Sequence, residues 1–562
     1  MEKRFVAAFV LSIVILLAWS LITRKFFPPP ETPPPPVSAP ESAPAAAPAP
    51  MEAPPPTADA PVAPPPTAAG AEEVVRLETD VAAVELTNRG GRVRSWRLKG
   101  FETVGVAVDF VSEGARRAGV EPLALAFDDR AILPGINEAL FKTLRQDGDD
   151  GSTRVQFEWA DGAGSEVVKS LRFDKTGYLV DIEIKAVDRG RPVTARVWWG
   201  PGLEVEDPEH RSNTYYRSQV LIYDGQNVTR MSDGDIEAAV ALPESRIEWA
   251  GLEDQYFTVL LLPAGSRGSV ALAPFSQSAV KGRATATGGD AADAPTLALS
   301  LPEGKAQLFV GPKNFGLLSS LGHGLEKAVW FSSYSLIYAC AKPIFLALRW
   351  VHDHWFANYG VAIILLTIGL RVLLFPLNQY SMVKMRRVAG EMQRLQPKLK
   401  AIQAKYKKSK DPEARGKLNA ETMELYRREG VNPFGGVSGC LPLLIQMPIL
   451  WAFFDVLTAT VELRGAPFFG WISDLTHPDR FWITPLLMGG TMFVQQKMTP
   501  TANIDPTQQR MLLFMPLIFT VMFISLPSGL VLYYFVNNLL GIGQQWLVNR
   551  HIARLEAASA KA

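Results

Sequence analysis

Cysteine is almost absent from this chain: there are two in 562 residues, Cys340 and Cys440. That excludes a fold stapled by several disulfides and a metal site built from paired thiolates. Histidine is scarce too, with six copies, and the sequence has no Gly-rich phosphate loop and no His/Cys metal spacing. Acid/base pairs of a hydrolase are not apparent. The net charge of +1 is uninformative about partners. How charge and apolar residues are distributed says far more.

Eighteen of the 43 prolines fall between Pro28 and Pro66. Runs such as PPPETPPPP have no apolar periodicity with which to bury a core, so 28–71 reads as an extended Pro/Ala-rich linker. Residues 5–22 before it are uncharged and mostly apolar, behind Lys3 and Arg4. They run into Thr-Arg-Lys-Phe-Phe where a cleavage site would carry small residues, so 1–27 is expected to be an uncleaved transmembrane signal anchor. No cysteine follows it, which argues against a lipid-modified N-terminus.

Over 72–320 the pattern changes. TRVQFEWA, EVVKSLRF, YLVDIEIKAV and VTARVWWG are short, partly alternating, rich in Val, Ile and aromatics, and separated by Gly, Asp and Asn turns. The pattern predicts a many-stranded antiparallel β-sandwich in one large domain.

The remainder is membrane-like. Apolar spans are expected at 358–377, 438–460 and 481–498, and a long one at 511–547. The last is about twice the twenty or so residues one crossing needs, and Leu526-Pro527-Ser528-Gly529 breaks it into two helices. Residues 329–351 are also long enough to cross. Lys342-Pro343, with Arg349, His352, Asp353 and His354 near the end, suits instead an interfacial amphipathic helix within 321–357. Parity favours that choice. The loop 378–437 holds 14 Lys and Arg against 6 Asp and Glu, and positive-inside bias puts it in the cytoplasm only if 329–351 does not cross. The expectation is six spans, with 438–548 carrying the last four, a short tail at 549–562, and both termini cytoplasmic. Cys340 then lies outside and Cys440 inside, so the two cannot pair.

Within the basic loop, Met385, Val388, Met392, Leu395, Leu399, Ile402 and Tyr406 recur in steps of three and four, a coiled-coil-like seam with Pro397 as its weak point. A second helix near 413–428 would complete a cytoplasmic helical hairpin with a basic exterior. The plain alternative is a solvated loop that merely obeys positive-inside bias. Lipid headgroups, ribosomal RNA and nascent chains are its anionic partner classes.

One charge stands inside an apolar span. Arg371 interrupts GVAIILLTIGLRVLLFPL, where an arginine costs about 2.5–3.5 kcal/mol on insertion scales. It lies about 9 Å from the cytoplasmic end of its helix, so snorkelling to the interface is one reading. The other is a hydrated cavity. Thr367 shares its face, and Gln446, Gln495, Gln496, Tyr533, Tyr534, Asn537 and Asn538 bring polar groups on other spans. Each alone is ordinary helix-helix glue. Asp455 runs too deep to pair with Arg371.

These stretches carry a resemblance. ANYGVAIILLTIGLRVLLFPLNQYSMVKM, LYRREGVNPFGGVSGCLPLLIQMPI, VELRGAPFFGWISDL, GGTMFVQQKM and LPSGLVLYYFVNN, with ELTNRGGRVRSWRLKGF, VVKSLRF and WAGLEDQYF in the sandwich, resemble the YidC membrane protein insertases of Gram-negative type. The resemblance implies a polytopic α-helical protein of the bacterial inner membrane with six transmembrane helices, five of them forming the insertase core. It also implies a large periplasmic β-sandwich and a non-enzymatic role that needs no cofactor: inserting and folding new membrane proteins, alone or with the Sec translocon. A groove open to the cytoplasm and lipid would be lined by Arg371, Thr367, Gln446, Gln495, Tyr533, Tyr534 and Asn537. Nascent membrane proteins, the Sec translocon, membrane lipids and, through the cytoplasmic loops, the ribosome are the implied partners; specific DNA binding is not. Two other classes are a transporter or channel, and a periplasmic carbohydrate-binding or carbohydrate-active protein acting through its sandwich.

Overall fold

A computed structural model describes residues 65–562, apart from 104–105, 113–114, 117–120, 128–131, 202, 204–217, 233–234, 237–239, 276–293, 333, 407–411, 431–440, 500–505 and 560–562. The expected signal anchor, and the expected linker up to residue 64, lie outside the described residues.

Alternation builds the β-domain. In strand Glu166–Phe173 every second side chain is buried, from Val167 to Phe173, and Leu179–Asp188 repeats the pattern. This is the period-2 signature of strands with one face on a core. Three antiparallel sheets of four, ten and five strands result. The ten-stranded sheet contains Trp249–Glu253, Phe257–Pro263, Lys305–Pro312, Leu179–Asp188 and Glu166–Phe173 in that order. A single core joins the sheets, with Trp96, Phe157, Trp199 and Phe257 among its buried side chains. Lys169 also points inward, between Val167 and Leu171. Its ammonium is satisfied by the carbonyls of Gly90 at 2.6 Å, Gly91 at 3.3 Å and Leu123 at 2.7 Å, as burial of a cation requires.

Helices follow the last strand. Helix α1 is Phe315–Leu321 and α2 is Ser335–His354. Helix α2 buries Ala341, Ile344, Phe345, Leu348 and Val351, packing on α5, Leu441–Ala459. Its other side exposes Leu336, Leu346 and Trp350, as expected of a helix with lipid on one flank.

Helix α3 runs unbroken from Tyr359 to Tyr406, 48 residues or about 72 Å at 1.5 Å per residue. The expected span 358–377 and the first arm of the expected hairpin are thus one continuous helix. Pro376 and Pro397 lie inside the helix on its exposed side; each removes one intrahelical hydrogen bond, and the helix continues through both. Helix α4, Pro412–Arg428, folds back on it. Leu395 and Leu399 are buried there against Met392, Leu425 and Tyr426. Glu421 takes Lys405 and the Tyr406 hydroxyl, and Glu429 takes Lys398.

Helices α6, Ile483–Met498, α7, Pro506–Phe523, and α8, Ser528–Ser559, complete the bundle. Helices α7 and α8 are the two halves of the interrupted 511–547 stretch, meeting at Pro527. Among the described helices α3 alone has both the length and the hydropathy of a full crossing, with shorter apolar stretches at Ile445–Ala459 and Phe514–Phe523. In α8, the tyrosines and amides at 533–545 lower its apolar character.

Candidate functional site

Helix α8 packs between α3 and α6, and its polar residues meet theirs at helical spacing. Arg371 on α3 is half-buried, and its Nη2 donates to the carbonyl of Asn537 at 2.9 Å. One turn further along α8 stands Gly541. A β-carbon there would lie 3.0 Å from Arg371 Nη2 and 2.7 Å from Gln495 Nε2. The glycine thus leaves the Asn537 carbonyl open to a side chain from another helix and lets α3, α6 and α8 converge. Arg371 Nε has no partner, and no carboxylate acts on the guanidinium among the described residues.

Two further contacts extend this point into a ladder. Toward the outer end, Gln446 Nε2 on α5 donates to the Tyr533 hydroxyl, while the Tyr533 ring stacks on Phe453 with centroids 4.2 Å apart. Toward the hairpin, Gln544 Nε2 donates to the Phe375 carbonyl at 3.3 Å and reaches Gln379 Oε1 at 3.5 Å. Residues 371, 375 and 379 on α3, and 533, 537, 541 and 544 on α8, recur in steps of three and four, so each set shares one helix face.

The sequence-expected residues divide between this ladder and its surroundings. Arg371, Gln446, Gln495, Tyr533 and Asn537 belong to it. Thr367 is buried with its hydroxyl donated to Ile363 O at 2.6 Å, so the group is used within its own helix. Tyr534 turns toward α7, its ring edge-on to Phe523 at 4.9 Å. Asn538 is buried and its Nδ2 has no partner. Asp455 stays apart, near the outer end of α5, and takes the Ser332 hydroxyl. Gly541 and Gln544, four and seven residues after Asn537, and Gln379, eight after Arg371, are additions whose helical spacing the sequence carries.

The end of the bundle nearest the sandwich is built differently. The loop 461–482 between α5 and α6 closes on the α7–α8 turn: Ser528 N donates to His477 O at 2.8 Å, Gly529 N to Leu475 O at 2.9 Å, and Ser528 Oγ to Asp474 O at 2.9 Å. Thus loop carbonyls satisfy the first N–H groups of α8. Asp479 fixes the same loop, accepting from Thr484 N and Oγ1, Phe481 N and Trp471 Nε1 at 2.7–3.1 Å. Burial raises its pKa, but those four donors outweigh burial and hold it below the usual carboxylate range.

A helical bundle with one crossing-length apolar helix, a polar ladder between its helices, a hydrogen-bonded loop closing one end and a β-sandwich beyond it has the architecture of a membrane protein with an extramembrane domain. Two family models together match almost all of the described chain: the YidC periplasmic domain over residues 74–347 and the 60Kd inner membrane protein over residues 350–555. The membrane protein insertase YidC of Syntrophus aciditrophicus strain SB is 33% identical over 576 residues, covering 98% of this chain and all of that one. That of Geobacter sulfurreducens is 34% identical over 573 residues, covering 99% and 100%. The crystal structure of an active YidC insertase with its first transmembrane domain resolved aligns with 86% of this chain and 94% of that one, at 19% identity and a TM-score of 0.35. The chain belongs to the YidC family of membrane protein insertases. It is an inner-membrane protein with a periplasmic domain, and its function is membrane protein insertion.

Proposed function

We propose that the ladder around Arg371 is the surface on which this insertase receives the polar tail of a nascent membrane protein. The observation that carries the reading is the state of Arg371: its guanidinium is tethered to a backbone carbonyl, with no carboxylate among the described residues neutralising it. A fixed and uncompensated cation attracts an acidic or hydrated segment, and it replaces part of the solvation that the segment loses on entering the membrane. The apolar helix of the substrate meanwhile partitions along the exposed faces of α6 and α7, where Leu486, Leu487, Phe514, Leu517, Ile518 and Val521 face outward. The short α6 lowers the thickness of membrane to be crossed. No covalent step and no cofactor enters this scheme.

In the same reading the chain crosses six times, at 5–22, 358–377, 438–460, 481–498 and twice within 511–547. The domain 72–320 is periplasmic, 321–357 lies at the interface, and both termini and the 378–437 hairpin are cytoplasmic. The basic hairpin meets the ribosome and anionic lipid, and the protein acts alone or beside the Sec translocon.

The test is insertion of a substrate with an acidic translocated tail into vesicles containing the purified protein. Arg371→Ala is expected to slow it by roughly 10- to 100-fold, corresponding to the ~1.5–3 kcal/mol of a hydrogen bond to a charged group. Arg371→Lys keeps much of the rate. Equal rates for all three proteins would eliminate the electrostatic role.

A further inference from the structure

The sandwich and the helix bundle exchange helix caps. The last four carbonyls of any α-helix lack an intrahelical partner, and in α5 one of these, that of Thr458, accepts from Gln255 Nε2 at 2.7 Å. Gln255 sits in the turn between strands Trp249–Glu253 and Phe257–Pro263 of the ten-stranded sheet. The exchange is returned four residues later. Glu462, in the 3-10 turn Val461–Leu463 that follows α5, accepts from the N–H of Phe315 at 2.8 Å, at the start of α1. Two residues past Glu462, the Arg464 guanidinium lies 5.3 Å from the ring centroids of both Tyr256 and Phe257, within cation–π range.

The segment gripped in this way, 458–464, leads directly into the loop that seals the outer end. That loop offers the carbonyls of Asp474, Leu475 and His477 to Ser528 and Gly529. A displacement of 458–464 therefore draws the loop carbonyls away from the first turn of α8. We propose that the sandwich is a positioning element for the outer seal: Gln255, Glu462 and Arg464 hold the root of the 461–482 loop so that its carbonyls stay on the α7–α8 turn. The domain thereby keeps the polar ladder closed to the periplasm while chains enter from the other side. This role rests on the reading of the ladder as a groove open to the cytoplasm.

The experiment uses the full chain in cells, with Cys340→Ala and Cys440→Ala and a single reporter, Thr491→Cys, one helical turn outward of Gln495 on α6. A membrane-impermeant maleimide is applied to right-side-out spheroplasts and, separately, to inverted membrane vesicles. With the clamp intact, the reporter is expected to react from the cytoplasmic face only; no reaction from that face would count against the groove itself rather than the clamp. Gln255→Leu combined with Arg464→Ala is expected to open a second route, raising periplasmic labelling about tenfold, the effect of losing one half-buried hydrogen bond. Thermal unfolding of the bundle serves as the control, since a purely structural loss lowers the melting temperature without giving selective access from outside. If the double variant fails to accumulate, Gln255→Glu keeps the side-chain shape and removes the donor, and the same rise is expected. Periplasmic labelling that stays at the parent level in a folded variant overturns the proposal.

Discussion

Gly541→Ala separates the geometry of the ladder from the stability of its helices. Two effects of opposite sign meet at this position. Alanine in a helix interior is favoured over glycine by about 1 kcal/mol, which stabilises α8. Against that, the new methyl would stand 2.7 Å from Gln495 Nε2 and 3.0 Å from Arg371 Nη2, closer than unbonded atoms tolerate. Both neighbours are the far ends of flexible side chains, so they move aside rather than force the backbones apart. The net change in stability is expected to stay within about 1 kcal/mol of zero. The guanidinium, however, leaves the Asn537 carbonyl, and the defined position of the charge is lost. If about 1–2 kcal/mol of that placement acts in the rate-limiting step, insertion of an acidic-tailed substrate slows roughly 5- to 30-fold. The assay is paired: thermal unfolding in detergent and single-turnover insertion into vesicles on the same preparation. Wild-type insertion by a folded Gly541→Ala protein would refute the claim that Arg371 must be held where it is, leaving only its charge.

Two further predictions concern other parts of the molecule. Gly489 on α6 faces α7 so closely that a β-carbon would lie 1.9 Å from Thr520 Oγ1, which is itself committed to Pro516 O at 2.7 Å; Gly489→Ala is expected to destabilise the bundle by about 1–3 kcal/mol, and adding Thr520→Ala to recover most of the loss, with a melting temperature that stays low in the double variant counting against the packing argument. In the sandwich, burial raises the pKa of Glu253, while Lys313 at 3.0 Å and Arg230 at 2.9 Å more than offset this, leaving it below the ordinary glutamate value. Its stabilisation is therefore complete above the unfolded-state value and lost as pH falls through the lower folded value. Glu253→Gln, which strands the buried Lys313 while the half-buried Arg230 keeps the carbonyls of Lys327 and Ala328, is expected to cost about 3 kcal/mol at neutral pH and to flatten the acid limb of a tryptophan-fluorescence stability profile; an unchanged limb would assign the acid sensitivity to other carboxylates.

Local patterns were the legible part of this chain. Alternation in Glu166–Phe173, the Leu-Pro-Ser-Gly break at 526–529 and the three-four seam through Leu395 and Leu399 each specify their element within a dozen residues. The same alternation even puts Lys169 on the core side, although a lysine in a strand reads as solvent-facing until the carbonyls of Gly90, Gly91 and Leu123 are seen around it. The expected change from span to hairpin at 377/378 leaves no mark on the helix itself, since α3 continues through Pro376 and Pro397. The site was legible as a list of polar residues and illegible as a contact set. Thr367 and Asn537 are equally polar in sequence, but the hydroxyl of one is spent on Ile363 and the carbonyl of the other receives Arg371. What decides between them is the rotation of α3 against α8. At Gly541 the missing side chain leaves room for Arg371 and Gln495, a feature that hydropathy does not register. Gln255 and Thr458 are 203 residues apart, and no local signal joins a strand turn to the end of a distant helix.

The two ends of the bundle differ in how completely their polar groups are paired, and the difference has a direction. At the outer end loop carbonyls meet the first N–H groups of α8, and Asp479 is surrounded by four donors. Breaking such a set leaves several buried groups unsatisfied at about 1–3 kcal/mol each, so the seal resists opening by thermal motion. Around Arg371 the balance is reversed. Among the described residues its Nε has no partner, and in the proposed function an incoming carboxylate or hydrated backbone supplies what it lacks. At an effective dielectric of about 20, one carboxylate 4 Å from the guanidinium gains about 4 kcal/mol, comparable with the several kcal/mol that desolvating a charge costs. Near-cancellation is the useful regime. A permanent carboxylate on a neighbouring helix would have spent that attraction within the protein, and a much deeper well would have trapped the passing tail. A tether to a backbone carbonyl fixes the arginine in place and, in the proposed function, leaves its charge available to each successive chain.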